Sequence, residues 1–407
     1  MDSGLETSRE LGQLGKTSDT RETLARAKRQ IYESGLNDWL IVDVDAHHFE
    51  NQSWAEVIAE IPSDVVRDIA HSFTRNGQVH PGIMTSSGFP PNQGIGGRVS
   101  HDQGLEEIAE AEDGAHRDVV LIRRAMECMA VDYQITFPTP MLSLGMHPEV
   151  EVEVGLAEGY NKWLTDNVLS TKDGIHSMLY LPFSEPEACE RIVQQYADHP
   201  KVAGFMVTSV RYKPVHHNQY MRLYRMLEET GKPLGFHAGP HWPDSGYMGQ
   251  LNRFISMHAI SFVLCNIVHM TNWVINGLPE RFPKLPVVWI ESGLSWLPFM
   301  MQRLDSEYMM RSSEAPNLKR PPSEYIGEMY FTCQPMERTN MKLLEATFEA
   351  INAPTQVLYA SDWPHWDFDL PTVIADLPFS DEQAKRNILG MNAAKLFGLD
   401  PKSQSAA

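Results

Sequence analysis

Two stretches of this chain concentrate side chains that bind metals and move protons. The first is Trp39-Leu40-Ile41-Val42-Asp43-Val44-Asp45-Ala46-His47-His48-Phe49-Glu50. Its first half has the composition of a buried strand. Alternate side chains of a strand face the same way, so Asp43, Asp45 and His47 share one side. Ligands two residues apart on one strand can reach the same ion. The plainer alternative is a polar strand end running into a loop, but that would bury three ionisable groups without partners, which is expensive. The second stretch is Leu358-Tyr359-Ala360-Ser361-Asp362-Trp363-Pro364-His365-Trp366-Asp367. A short apolar run ends abruptly in Ser-Asp, and a stiff Trp-Pro turn follows. A buried strand that stops on a carboxylate holds it in a fixed direction, as metal ligands and general bases require. The alternative is an Asp that only caps the next turn.

The elements that must position these groups alternate regularly. After a strand at 39–43, a helix over 114–129 leads to a strand, Asp132 to Phe137. Helices over Leu156–Val168, Glu185–Asp198, Gln219–Glu229 and Ile260–Asn276 lead to strands at Ser177–Leu181, Ala203–Thr208, Pro233–His237 and Pro286–Glu291. Glu328–Cys333 and Gln356–Ser361 complete a set of eight. Short apolar strands separated by helices imply a parallel sheet. Eight such units in this length imply an α/β fold, a closed (β/α)8 barrel. An open doubly wound sheet is the runner-up, but its phosphate-binding glycine turn is missing.

Barrel enzymes place their chemistry at the C-terminal ends of strands. Read in that order, strand one offers Asp45, His47 and His48, and strand four is followed by Arg211 and Lys213. Strand five offers His237, strand six Glu291 and strand eight Asp362. Independent strand ends carrying His, Glu and Asp converge on one face. Imidazole with carboxylate suits zinc, manganese or iron(II), without choosing among them. His269 lies eleven positions along a helix from His258, about 16 Å further from the mouth at about 1.5 Å per residue, and is read as structural. His258 is near enough to the mouth to touch substrate. His216 and His217 read as solvated loop residues.

Composition bounds the partners. The chain has 407 residues, 42% of them hydrophobic, and a formal net charge of −19. Such an acidic chain excludes nucleic acid or an anionic membrane held by bulk electrostatics, leaving a small-molecule substrate. The four cysteines, Cys128, Cys189, Cys265 and Cys333, form no CxxC pair, so reduced thiols in a cytoplasm are expected. No apolar run is read as membrane-spanning. Residues 1–36 are a polar N-terminal extension, with Leu24, Ala27 and Ile31 on one face of a helix over Arg21–Tyr32. Residues 37–400 form the barrel domain, and 401–407 a tail. A long insertion, about 55–113, contains the loop-like run Met84 to Arg98; such loops are usually lids or partner-binding elements. Extension and insertion together suit a homo-oligomer, or a hetero-oligomer with a paralogous subunit.

Over roughly residues 38–400 the chain resembles the amidohydrolase superfamily, in particular the amidohydrolase-related group typified by aminocarboxymuconate semialdehyde decarboxylase and γ-resorcylate decarboxylase. The resemblance rests on Asp45-Ala46-His47, Phe236-His237-Ala238-Gly239, Leu278-Pro279-Glu280-Arg281-Phe282-Pro283-Lys284-Leu285 and Ser361-Asp362-Trp363-Pro364-His365-Trp366-Asp367. It implies a divalent ion held by Asp45, His47, His237 and Asp362. One departure stands out: where the decarboxylases carry a histidine segment at the end of strand six, this chain has Glu291. A carboxyl whose pKa is raised by burial serves as an acid or base. Glu291 could instead be a ligand, opening a second ion site with His48, Glu50 or His258.

The resemblance makes non-oxidative decarboxylation of a small carboxylated molecule the first expectation. Glu291 or His365 would move the proton, with Asp367 orienting His365. Arg211 would take a second carboxylate, since a guanidinium binds carboxylates bidentately. The alternatives are metal-dependent hydrolysis, oxygen activation at two iron or manganese ions, and an inactive subunit supporting a catalytic paralogue.

Overall fold

The computed structural model describes residues 18–72, 74–75, 78–79, 114–147, 149–208, 213–239 and 254–401. Among these, eight parallel strands hydrogen-bond in sequence order: β1 (Val42–His48), β2 (Tyr133–Pro138), β3 (Ile175–Tyr180), β4 (Val202–Val207), β5 (Leu234–His237), β6 (Val287–Ile290), β7 (Tyr330–Thr332) and β8 (Val357–Leu358). Nearly every strand position is buried, as expected for a parallel sheet covered on both faces. The (β/α)8 barrel read from the alternation of elements is the architecture found.

The helices that cover it are α1 (Thr20–Glu33), α2 (Trp54–Ala59), α3 (Asp64–Ser72), α4 (Arg117–Met129), α5 (Val150–Asn167), α6 (Pro186–Tyr196), α7 (Met221–Thr230), α8 (Phe254–Ile275), α9 (Trp296–Arg311) and α10 (Met341–Ala350). The N-terminal helix lies against α4, burying the expected Leu24, Ala27 and Ile31. Lys28 pairs with Glu127 at 2.6 Å. After β1 come α2, α3 and a small ribbon, Thr74–Arg75 with Gln78–Val79. Residues 1–17 and the loop-like run 84–98 lie outside the described residues.

Several boundaries differ from the sequence reading: the first strand runs Val42–His48 and the last is only Val357–Leu358, and two helices start earlier. α5 starts at Val150 rather than Leu156, so Glu151 and Glu153 enter its first turn, where acidic groups complement the helix dipole. α8 starts at Phe254 rather than Ile260, and its span His258–Ile275 is long and apolar enough to cross a membrane by length and composition. One side of it packs on the barrel. Trp273 packs edge-on against Phe236 of β5 at 5.6 Å. Asn266 donates to the carbonyls of Phe236 and Ile290, so the helix is pinned to the strands it covers.

The ring closes between the first strand and the chain leaving β8. Val44 N–H donates to Tyr359 at 2.9 Å, Asp362 N–H to Asp45 at 2.7 Å and His47 N–H to Trp363 at 2.7 Å. The Asp43 carboxylate staples this seam: it accepts from Ser361 N–H at 2.9 Å, Ser361 Oγ–H at 2.5 Å and Asp45 N–H at 3.2 Å. Asp43 therefore holds the seam; the alternation that would have put it on one face with Asp45 and His47 is broken by a register shift between Asp43 and Ala46. Burial pushes its carboxyl up to about 7, opposed by the bonds from Ser361. Replacing Asp43 by Ala strands buried donors on Ser361. The expected cost is about 1–3 kcal/mol of unfolding free energy, read from the shift in a urea midpoint. An unchanged midpoint would show that the seam holds without it.

Candidate metal centre

Strand geometry explains how the donors reach one point. Phe236 of β5 and Trp289 of β6 stack 4.6 Å apart beneath α8, on the outer face of the sheet. Alternation then turns Gly235, His237 and Ile290 inward. Gly235 packs closely there: a Cβ would sit 2.9 Å from Ile290 Cδ1 and 3.0 Å from Met178 Cε, side-chain ends that would have to shift. An extended residue after Ile290 would point outward again. Glu291 instead adopts φ +54°, which turns its side chain back into the barrel. Asp362 does the same at φ +60° beyond β8. Non-glycine residues in this left-handed region cost about 1–3 kcal/mol each, and such residues cluster at functional sites. The turn after Glu291 is held by Glu337, whose Oε2 accepts from the Leu294 and Ser295 N–H groups at 3.0 and 3.3 Å. Gly293, at φ +65°, lies beneath that carboxylate, where a Cβ would be 2.5 Å from Oε1.

His47 Nε2 lies 3.3 Å from Asp45 Oδ1 and 3.2 Å from Asp362 Oδ1, and His237 Nε2 lies 3.2 Å from the same Asp45 oxygen. The two rings meet edge to face at 5.3 Å. Each imidazole spends Nδ1 on a backbone carbonyl: His47 donates to Pro138 at 2.9 Å, His237 to Ala238 at 2.7 Å. Both Nε2 atoms are thereby turned toward the carboxylates, the orientation that metal-binding histidines receive from such hydrogen bonds. Glu291 Oε2 stands 3.4 Å from His237 Nδ1. Donor atoms of Asp45, His47, His237 and Glu291 all lie within 4.8 Å of one another, as do those of His47, Asp362 and His365.

These residues fit a divalent ion on two grounds. Asp45 Oδ2, His47 Nε2 and Glu291 Oε2 are buried without a hydrogen-bond partner, and a native interior rarely leaves such groups unsatisfied. Two donors each about 2.0–2.1 Å from one ion also sit about 3.3 Å apart at the tetrahedral angle, the separation seen here.

Burial alone would lower the His47 imidazole, but the Asp362 and Asp45 carboxylates hold it well above its ordinary value. Burial alone would raise Asp45 and Asp362, yet their histidine neighbours keep both below the usual carboxylate range: His237 and His47 for Asp45, His365 and His47 for Asp362. Glu291 goes the other way. Burial first, then the charges of Asp362 and Asp45, keep its carboxyl well above the ordinary range.

Several residues singled out in the sequence lie elsewhere. His48 faces outward, with Nδ1 3.1 Å from Asp118 Oδ2 and Nε2 2.8 Å from Tyr160 Oη, stacked on Tyr160 and Trp163 of α5. Glu50 accepts from the N–H groups of Thr139 and Met141 at 3.0 and 2.6 Å, pinning the chain after β2. His48 and Glu50 are thus committed away from the centre, since one residue beyond His47 alternation sends His48 out, whereas Glu291 lies among the donors. His365 donates from Nδ1 to Asp362 Oδ1 at 2.6 Å. It is therefore oriented by Asp362 and not by Asp367. His258 lies instead 3.7 Å from Asp367 Oδ2, ring against Trp366. His269 is buried, its Nε2 3.3 Å from the Thr208 carbonyl, and burial lowers it to about 4. Lys213 donates to the Ser184 carbonyl at 3.1 Å. Arg211 lies outside the described residues.

Two contributors were missed. Gln334 donates from Nε2 to Asp362 Oδ2 at 3.2 Å and to the Asp367 carbonyl at 3.4 Å. It follows the one late strand end without an ionisable side chain, so a search for charged groups passes over it. Phe137 places its ring 4.9 Å from that of His237 and 6.2 Å from that of His47; as one apolar residue in an apolar strand it carried no signal.

Removing either of two donors tests the centre. Asp362→Ala and His47→Ala should each abolish metal retention, measured by elemental analysis of folded protein. The pH dependence has a definite sign. Protonated His47 donates to the carboxylates and takes the ion's place. The stability that ion-free protein draws from it is full below the imidazole's ordinary range and is lost as pH rises through the raised value. The gain in melting temperature on adding manganese should therefore grow with pH. A gain that shrinks with rising pH would remove His47 from the site.

The comparisons agree with this architecture. The family model described as amidohydrolase matches residues 125–399. No curated protein matches the chain. Among solved structures, 5-carboxyvanillate decarboxylase from Sphingomonas paucimobilis is 19% identical with a TM-score of 0.63, covering 89% of this chain and 100% of that one. 2,6-Dihydroxybenzoate decarboxylase from Rhizobium is 17% identical with a TM-score of 0.60, covering 89% and 99%. A dihydroxybenzoic acid decarboxylase from a Polaromonas species, with bound manganese and 2-nitroresorcinol, is 16% identical with a TM-score of 0.61, covering 89% and 97%. At these identities the likeness is one of fold, whereas the family model spans more than half of the sequence: the chain belongs to the amidohydrolase family.

Proposed function

We propose that this protein is a metal-dependent decarboxylase of a small carboxylic acid, most simply an aromatic one. The observation that carries the reading is the meeting of two donor groups at His47, one with Asp45, His237 and Glu291 and one with Asp362 and His365, in which the Glu291 carboxyl, against His237, is held well above its ordinary pKa range by burial. The shared fold with decarboxylases of 2,6-dihydroxybenzoate and 5-carboxyvanillate, one of them with manganese, supports it.

Asp45, His47, His237 and Asp362 would hold a divalent ion, which would supply the positive charge that a carboxylate substrate and the electron pair left by decarboxylation require. The chain's own residues do the rest. His365 and Gln334 hold the two oxygens of Asp362 from opposite sides. Pro138 and Ala238 fix the two imidazoles. Phe137 supplies an apolar wall beside both rings, where a flat ring can lie. Glu291 delivers its proton to the carbon that loses carbon dioxide. A buried acid with a raised pKa suits this step, because it keeps its proton to higher pH and lies close to the reacting atoms. His48 and Glu50 are engaged elsewhere, so Glu291 is read as the acid and not as the ligand of a second ion.

The test is carbon dioxide release from 2,6-dihydroxybenzoate and 5-carboxyvanillate by manganese-loaded protein under anaerobic conditions, with the metal counted. One ion per chain and oxygen-independent release are expected. Glu291→Gln should lower the rate by about 10²–10⁴-fold while metal content is retained. A strict requirement for dioxygen, or two ions per chain, would overturn the reading.

A further inference from the structure

Decarboxylation consumes a proton each turnover, and this site is closed to solvent. Asp45, His237 and Asp362 are 0% exposed, His47 3% and Glu291 4%. A proton must enter past them. Among the described residues, two imidazole–carboxylate pairs on this side are partly open to water: His116 with Glu56, out in the helix layer against Trp163, and His258 with Asp367. His258 sits near the start of α8, and Asp367 lies five residues beyond Asp362. Their side chains are 19% and 16% exposed, and His258 Nε2 is 3.7 Å from Asp367 Oδ2. Trp366 and Phe262 hold the imidazole from two sides, ring centroids 5.4 and 5.3 Å away. The backbone that carries Asp367 is tied to the centre: the Gln334 amide donates to the Asp367 backbone carbonyl and to Asp362 Oδ2. The Asp367 charge also reaches inward, adding to the field that raises the Glu291 carboxyl. The other histidines near this end are ruled out by position. His365 is 1% exposed on Asp362, His48 points into the helix layer, and His269 is buried at the Thr208 carbonyl.

We infer that His258, oriented by Asp367, is the proton entry of this site, relaying a solvent proton inward once per turnover. The inference rests on the decarboxylation reading. The carbon–carboxylate bond breaks, its electron pair stays on carbon, and carbon dioxide leaves. The carbon takes a proton from within the site, the imidazolium of His258 replaces that proton, and water reprotonates His258. No oxidant or reductant is required. His258 is a relay and Asp367 a positioning residue; neither holds the ion.

The experiment compares wild type, His258→Gln and Asp367→Asn as full-length, manganese-loaded protein, on whichever of 2,6-dihydroxybenzoate and 5-carboxyvanillate the wild type decarboxylates. Metal content and melting temperature are measured alongside. His258→Gln is expected to lower kcat about tenfold or more with KM and metal content unchanged, and added imidazole should restore kcat. Asp367→Asn should give a smaller loss in kcat alone. Rescue by imidazole separates a relay from a structural role, because a small base in solution replaces a missing proton carrier but not missing packing. Undiminished kcat in His258→Gln sinks the inference and leaves the decarboxylase intact. Loss of metal from that variant sinks it too, by making His258 a ligand. A wild type that releases carbon dioxide from neither acid sinks the parent reading, and this one with it.

Discussion

Two carboxylates, Asp45 and Asp362, lie fully buried within 3.3 Å of the imidazole nitrogens of His47 and His237. Burying an anion is costly unless an opposite charge and hydrogen bonds accompany it. The rest of the mouth reads as the means of meeting that condition. Gln334 and His365 each occupy one oxygen of Asp362. Carbonyls at Pro138 and Ala238 turn both imidazoles so that Nε2 faces the carboxylates. The remaining demand, an orphan oxygen on Asp45 and unsatisfied His47 Nε2, is for positive charge. In ion-free protein a raised imidazole pKa answers it; in a loaded centre a metal does.

Strand β1, whose register shifts between Asp43 and Ala46, shows how finely roles divide along one strand. Asp43 closes the barrel seam on Ser361, and Asp45 and His47 face the centre. His48, one residue further, is committed to Asp118 and Tyr160 in the helix layer. Four ionisable residues within six positions thus do three unrelated jobs. The seam matters to the centre directly, because the same backbone bonds that close the ring, Asp362 to Asp45 and His47 to Trp363, set the distance between strand-one and strand-eight ligands. Closure and coordination are one construction.

Backbone strain marks the two points where the regular strand cannot deliver a ligand. Beyond β6 and β8 an extended chain would send the next acidic side chain away, and φ +54° at Glu291 and φ +60° at Asp362 bring both back. Neighbours hold each turn: Glu337 grips the amides after Glu291, and Ser361 Oγ accepts from Trp363 N–H after Asp362. The two residues so placed then diverge in chemistry. Asp362 is surrounded by imidazoles and stays ionised. Glu291 is surrounded by carboxylate charge and apolar burial, and its carboxyl is held well above the ordinary range.

The sequence by itself determined the strand and helix alternation, and with it the barrel, because short apolar runs set between helical stretches are a local property. It also determined that strand ends one, five, six and eight carry the reactive groups, since those residues terminate apolar runs. Only the tertiary structure decided which neighbours those groups meet. Asp43 and Asp45 look alike on the page, yet one has Ser361 opposite it and the other His237, 318 and 192 positions away. Asp367 looks like the partner of His365 and belongs instead with His258, because Asp362 takes that imidazole first. Gln334 and Phe137 acquire a role only from what closure brings beside them. The physical reason is common to all: direction along a strand is written locally, whereas pKa, coordination and hydrogen-bond partner depend on distances across the barrel that no local pattern encodes.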